Sequence, residues 1–239
     1  MNEKKPVRRD MLLVNGREIP VAVVRSRRAR RYVLRLRADG LARLTIPRNG
    51  SASEAWEFAR RQGTWLERQL QDLASRPVRP KEWRVGTEIL FRGEMVKIED
   101  RSDLKSENTV RLGDQLIPIV DISSDLRSAI ESHLQAMAKK ELPAQTLQFA
   151  AMHQLSVRRV TVRAQRSRWG SCSFKGVISL NWRLIQTPGF VRDYIILHEL
   201  MHLRQMNHSA RFWKEVERAC PDYRRAKLWL KENPGLLDR

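Results

Sequence analysis

Apolar and polar positions alternate along the first fifty residues. Tyr32, Leu34 and Leu36 alternate with Arg31, Arg35 and Arg37. A period of two sends the apolar set to one face of a strand and the arginines to the other. Asp39-Gly40 is a turn signal and residues 41–46 are a return strand, so a β-hairpin with an arginine face is expected. The period then changes. Ser51-Ala-Ser-Glu54 has the spacing of a capping box, and Ala55, Ala59, Leu66, Leu70 and Leu73 follow near helical spacing. One helix is expected to about Ser75, stopped by Arg76-Pro-Val-Arg-Pro80. Short strands are expected at 89–92, 95–99, 109–112 and 116–120, with turns at Gly93 and Gly113-Asp114.

A helix should start after Ser123-Ser124 and reach Leu142, where Pro143 breaks or kinks it; a second piece continues to about 155. Strands at 157–163 and 177–182 flank a bend at Trp169-Gly-Ser-Cys172, and Thr187-Pro188 opens a helix with Thr as N-cap. The fold class is therefore α+β. Strands give way to helices near 120–124, which places a small β-rich region with one helix at 1–122 and a second domain at 123–239.

Composition narrows the classes. The 239 residues are 41% hydrophobic and 31% charged, with no run of the ~20 apolar residues that a membrane span needs. The first residues lack the apolar stretch of a secretory signal, and two cysteines make no disulfide framework. A cytoplasmic protein with free thiols is expected, Cys172 and Cys220 being small packing residues. Lys and Arg number 46 against 27 acids, a net charge of +19. Residues 1–50 hold 14 basic and 4 acidic side chains, so +10 of that excess lies there. Arg27, Arg28, Arg30, Arg31 and Arg35 are candidates for binding nucleic acid or nucleotides, set against an ordinary solvated face.

The chemistry concentrates in residues 194–208, where three of the five histidines fall within eleven positions. His198-Glu199-Leu-Met-His202 on a helix places two imidazoles one turn apart on one face, able to share one Zn²⁺. They continue an apolar stripe from Val191 and Ile195, where unpartnered imidazoles would be costly. Glu199 points about a quarter-turn away, too far round to be an easy ligand but able to reach a water on the metal as general base. A third ligand is needed. His208 reaches back if the chain turns, and Asn207 tolerates the left-handed conformation at a helix end. Glu215 and Glu217 on the next helix are its rivals. His133 and His153 are expected to be surface or satisfied histidines. Arg168 and Tyr223 are candidate donors to a developing oxyanion.

These motifs carry a resemblance. Arg168-Trp-Gly-Ser-Cys-Ser173, Ile178-Ser-Leu-Asn-Trp182, Pro188, Tyr194, the His-Glu-Leu at 198–200 and Asn207-His-Ser-x-x-Phe-Trp213 resemble the YgjP-like metallopeptidases, relatives of SprT-type zinc proteases. The likeness extends more weakly to the N-terminal hairpin and to the Trp65-Leu66 helix. It implies a zincin-like domain with an HExxH helix, zinc on His198, His202 and His208, and Glu199 as catalytic base. It also implies that an edge strand in the 168–182 hairpin binds a polypeptide substrate, with Arg168, Trp169, Ser171, Asn181 and Tyr223 as candidate contacts. The longer metzincin pattern has glycine where Gln205 stands, so that subclass is not expected. The expected function is zinc-dependent peptide hydrolysis. Two alternatives stand beside it. One is a metal-dependent nucleoside triphosphate pyrophosphohydrolase using arginines 163, 166 and 168. The other is a nucleic-acid-binding protein or DNA-linked protease using the arginine strip, with tryptophans for stacking. Against stacking, Trp65, Trp213 and Trp229 have the helical spacing of core residues.

Overall fold

Asn15 and Gly16 both adopt positive φ, 47° and 80°, as a two-residue hairpin turn requires. They join β1 (Arg8–Val14) to β2 (Arg17–Ser26), a hairpin that the alternation further on had overshadowed. The expected hairpin follows, β3 (Val33–Leu36) against β4 (Ala42–Pro47), with Leu34, Ala42, Leu44 and Ile46 buried. The sheet order is β1-β2-β4-β3, β2 running parallel to β4. Arg27, Arg28, Arg30 and Arg31 are not on a strand face. They form an exposed turn between β2 and β3, because residues 25–31 contain no apolar set for a sheet to bury. Arg35 does sit on β3, directly opposite Arg43.

The capping box forms as expected: Ser51 Oγ accepts from the Glu54 amide at 3.1 Å, and the Glu54 carboxylate accepts from the Ser51 amide at 3.3 Å. The single expected helix is instead two, α1 (Ala52–Arg61) and α2 (Gly63–Ala74). The break coincides with Gly63, where a Cβ would lie 3.0 Å from Val14 Cγ1, so the backbone there approaches β1 closely. Trp65, expected in the core, is 38% exposed.

The structure, a computed structural model, describes residues 8–37, 39–74, 82–102, 108–233 and 236. The proline-rich stop at 76–80 falls outside them. The chain divides into two compact units, residues 1–78 and 79–238. In the second unit the strands β5 (Glu88–Phe91), β6 (Glu94–Asp100), β7 (Thr109–Leu112) and β8 (Gln115–Pro118) pair antiparallel in sequence order. The seam expected at 122/123 lies inside this unit. Trp83 donates its amide to Asp125 and accepts from the Leu126 amide, both at 2.8 Å, and Ile98, Leu112 and Ile117 share one core with Leu134, Leu180 and Ile196.

Helix α3 (Arg127–Met152) runs unbroken through Pro143. Ile130, Leu134, Ala138, Leu142, Thr146 and Ala150 form a buried stripe on both sides of the proline. Packing along that stripe outweighs the one backbone hydrogen bond that Pro143 removes, and Lys139, whose carbonyl loses its partner, is exposed to water. A three-stranded sheet follows, β9 (Arg159–Arg163), β10 (Gly170–Cys172) and β11 (Val177–Asn181), in the order β10-β11-β9. β10 is an edge, antiparallel to β11, which is parallel to β9. A 3₁₀ turn, Trp182–Gln186, leads into α4 (Gly189–Met201). Thr187 does not cap α4; its hydroxyl donates to the Leu184 carbonyl at 2.8 Å, and Pro188 takes the cap position. Helices α5 (Ala210–Ala219) and α6 (Tyr223–Glu232) close the unit. Among the described residues no helix is long and apolar enough to cross a membrane.

Candidate functional site

Helix α4 is buried on nearly all sides: Val191, Tyr194, Ile195, Ile196, Leu197, Glu199, Leu200 and Met201 are all interior. His198 lies in its last turn and His202 is its C-terminal cap, their ring centroids 5.1 Å apart. The chain then turns tightly, the Leu203 amide donating to Leu200 O and the Gln205 amide to Met201 O. Asn207 does not adopt the left-handed conformation expected of it. Its side chain makes the turn instead: Oδ1 accepts from the Ser209 amide at 3.2 Å and from Gln205 Nε2 at 3.0 Å. Ser209 caps α5 by accepting from the Phe212 amide.

This turn returns His208 to the helix, with its Nε2 3.1 Å from His198 Nε2. One nitrogen from each of His198, His202 and His208 lies within 4.8 Å of the others, the one such cluster among the described residues. Two nitrogens bonded to one tetrahedral ion at 2.0–2.1 Å stand about 3.3–3.4 Å apart, so the His198–His208 spacing fits shared ligation. The rival carboxylates are engaged elsewhere. Glu215 pairs with Arg204 at 2.6 Å and Arg218 at 3.2 Å, and Glu217 with Arg224 at 3.5 Å.

The rings are held in a form suited to a metal. His202 Nδ1 donates to the Gln205 carbonyl at 3.1 Å, which leaves the lone pair on Nε2. Burial pushes the His198 pKa down to about 3, assisted by His202, His208 and the charge of Lys227. Burial also lowers that of His202. A metal needs these neutral imidazoles. His198 Nδ1 is buried without a hydrogen-bond partner, so packing orients that ring. Phe212, fully buried, stands 4.9, 4.4 and 4.8 Å from the rings of His198, His202 and His208. Trp213 stands 5.8 Å from His198 and 5.9 Å from His208.

Glu199, only 6% exposed, faces β10. The backbone N–H of Cys172 donates to its carboxylate. Gly170 leaves the room: a Cβ there would lie 2.6 Å from Glu199 Cγ and 2.7 Å from Oε1. Burial raises the carboxyl pKa to about 7, against the lowering effects of the Cys172 N–H and of Arg168. A carboxyl poised near neutrality can take up and return a proton. Burial and the nearby Glu199 push the Cys172 thiol up to about 11, which makes it a poor nucleophile.

The other expected residues divide. Arg168 is exposed, and its charge acts on Glu199. Trp169 is partly buried against the core, its carbonyl accepting from the Asn181 amide at 2.8 Å. Ser171 lies on the edge strand opposite Ser179. Asn181 is not a substrate contact. It is fully buried, donating from Nδ2 to the carbonyls of Gln165 (2.7 Å) and Arg168 (3.0 Å) and accepting from the Arg183 amide (3.1 Å), which uses the whole amide to hold the loop before β10. Tyr223 stacks between Trp213 (5.6 Å) and Tyr194 (6.3 Å), and its hydroxyl accepts from Arg224 Nε at 3.4 Å. His133 lies 3.2 Å from the side-chain oxygen of Gln115, and among the described residues no metal-ligand cluster includes it or His153. In the first unit Arg27, Arg28, Arg30, Arg31 and Arg35 are exposed. Tyr32 beside them is already engaged: it stacks on Phe58 at 6.1 Å, donates to Glu54 and accepts from the Ser51 amide. Gly170 and Phe212 stand in the motifs quoted above but were given no role, and Lys227 was not singled out. Only Phe212, four residues after His208, had a spacing signal.

Among solved structures the chain is similar to the metallopeptidase zymogen of Pyrococcus abyssi abylysin, at 23% identity over 39% of this chain and 95% of that one, with a TM-score of 0.35. It is also similar to the metallopeptidase zymogen of Methanocaldococcus jannaschii jannalysin, at 23% identity over 39% and 99% of the two chains, with a TM-score of 0.33. Overlaps this partial do not establish a shared fold. No curated protein matches the chain. The YgjP-like metallopeptidase domain, by contrast, matches residues 30–233, which contain every residue of the histidine site, and the chain belongs to that family.

Proposed function

We propose that this metallopeptidase-family chain is a zinc-dependent peptidase with a zincin-like second unit, in which Glu199 is the general base. The observation that carries the proposal is the three-imidazole cluster within 4.8 Å, with the buried carboxyl of Glu199 next to His198 on the same helix. Three imidazole nitrogen donors suit Zn²⁺, and His198, His202 and His208 would hold it. When bound, such an ion supplies Lewis acidity, making water easier to deprotonate and a carbonyl easier to attack. The chain's own residues do the rest. The Glu199 carboxylate accepts a proton from the attacking water and returns it to the departing amine nitrogen, so the base is regenerated in each cycle. The Cys172 N–H and the gap at Gly170 hold that carboxylate toward β10. β10 is an edge strand, and an extended polypeptide can add to such an edge through backbone hydrogen bonds. Arg168, exposed and electrostatically coupled to Glu199, is the candidate for stabilising negative charge developing on the carbonyl oxygen.

The test uses zinc-loaded protein with casein and, separately, with each nucleoside triphosphate. The expected result is casein cleavage that Glu199→Gln lowers by about 10²–10⁴-fold while metal content stays the same. Pyrophosphate release sensitive to Glu199→Gln, without proteolysis, would overturn the peptidase proposal.

A further inference from the structure

Helix α6 turns a row of cations toward the rest of its unit, and one differs from its neighbours. Arg224 pairs with Glu217 and contacts the Tyr223 hydroxyl, and Arg225 stands over the Phe190 ring at 4.2 Å. Lys227 has no ion pair among the described residues. Its Nζ rests 4.4 Å above the Trp213 ring and 5.9 Å from that of Tyr223. Trp213 in turn is 5.8 Å from His198 and 5.9 Å from His208. The ammonium group is therefore held by cation–π contact on the same aromatic wall that packs the histidines, within the reach of about three extended residues. Arg168, also without an ion pair among the described residues, lies by the sheet edge on the Glu199 side.

Unpaired cations beside a cluster that could hold a divalent cation oppose its binding, and the Lys227 charge acts on His198. An anion supplied from outside would offset this repulsion. We infer that Lys227 is a binding point for a carboxylate of the peptide substrate close to the scissile bond, which gives the site a preference for acidic substrates. The inference rests on the peptidase proposal and adds its substrate class. A lysine stem lying on aromatic rings leaves the ammonium group exposed and able to make a charge-assisted hydrogen bond to a carboxylate. The carboxylate has two possible sources, an acidic side chain or the free C-terminus of a short peptide, and the experiment separates them.

Matched peptides carry Glu or its uncharged twin Gln next to the cleaved bond, each with a free or an amidated C-terminus. They are offered to the zinc-loaded chain, to Lys227→Gln and to Lys227→Arg. Cleavage gives kcat/KM, and calorimetric titration of the same peptides into the same proteins gives binding independently of turnover. Wild type is expected to favour the Glu peptide, or the free acid over the amide, by about tenfold. Lys227→Gln should abolish that preference, and Lys227→Arg should keep it. Dependence on the side chain or on the chain end names the source. Equal handling of charged and uncharged peptides by wild type, or a preference that survives Lys227→Gln, overturns the inference. A Lys227-dependent binding preference with no cleavage of any peptide keeps the carboxylate site and ends the peptidase proposal. Loss of ATP binding in Lys227→Gln without loss of carboxylate preference assigns the lysine to phosphates and overturns it as well.

Discussion

Gly170 sets the place of Glu199, since any side chain there would occupy the space of the carboxylate. Gly170→Ala is therefore expected to lower turnover by about 10²-fold, the scale of a misplaced catalytic group, with zinc content and KM close to wild type. Steady-state kinetics beside metal analysis checks this; an unimpaired kcat would show that the carboxyl has other room. Phe212 touches all three imidazoles and is fully buried. Phe212→Ala should cost roughly 3–5 kcal/mol of stability, read by denaturant unfolding, and weaken metal affinity through loosened rings. At this scale the closeness of His198 and His202 was legible because helical periodicity alone puts them one turn apart. His208 was legible once the chain was assumed to turn, although the turn uses the Asn207 side chain rather than its φ. Gly170 and Lys227 were not, because their importance lies in nearness across the fold. Asn181 belongs to a motif yet is a buried loop anchor, a distinction that needs its hydrogen bonds to be seen.

Elements were read best where one pattern ruled. The strands β5 to β8 fall within about two residues of their expected ends, since turn glycines bound short apolar runs. Pro143 misled because a local rule met a long buried stripe, and packing prevailed. The α1–α2 break and the β1–β2 hairpin carried signals in Gly63 and Asn15-Gly16 that are ordinary in isolation. Packing also sets a pH effect on α4. Burial raises the Asp193 carboxyl above its usual range, against the pull of Arg192 and a hydrogen bond from Gln145. A carboxyl whose folded pKa exceeds its unfolded value binds its proton more tightly when folded. Stability is thus lost as pH rises through that raised value. Asp193→Asn, which keeps an acceptor for Gln145, should raise the Tm at pH 7, and the gain should shrink toward pH 4. A gain equal at both pH values would contradict the burial account.

Over the whole molecule the boundary was misjudged. Composition changes near 120–124, but the core does not: strands β5 to β8 pack with α3 and α4, and the chain divides at 78/79. The second unit contains its own core from Trp83 onward together with the complete histidine cluster. Residues 79–239 expressed alone should unfold cooperatively and retain zinc in the same proportion as the full chain, checked by thermal unfolding and elemental analysis. The basic first unit, which carries +10 in residues 1–50, is dispensable for metal on this account. The most direct test is the zinc content of the full chain after zinc exposure and dialysis, compared with His202→Ala and Glu199→Gln. The expected outcome is one equivalent per chain for wild type and Glu199→Gln, with most of it lost in His202→Ala. A wild type without zinc, or an undiminished content in His202→Ala, would contradict the three-histidine site.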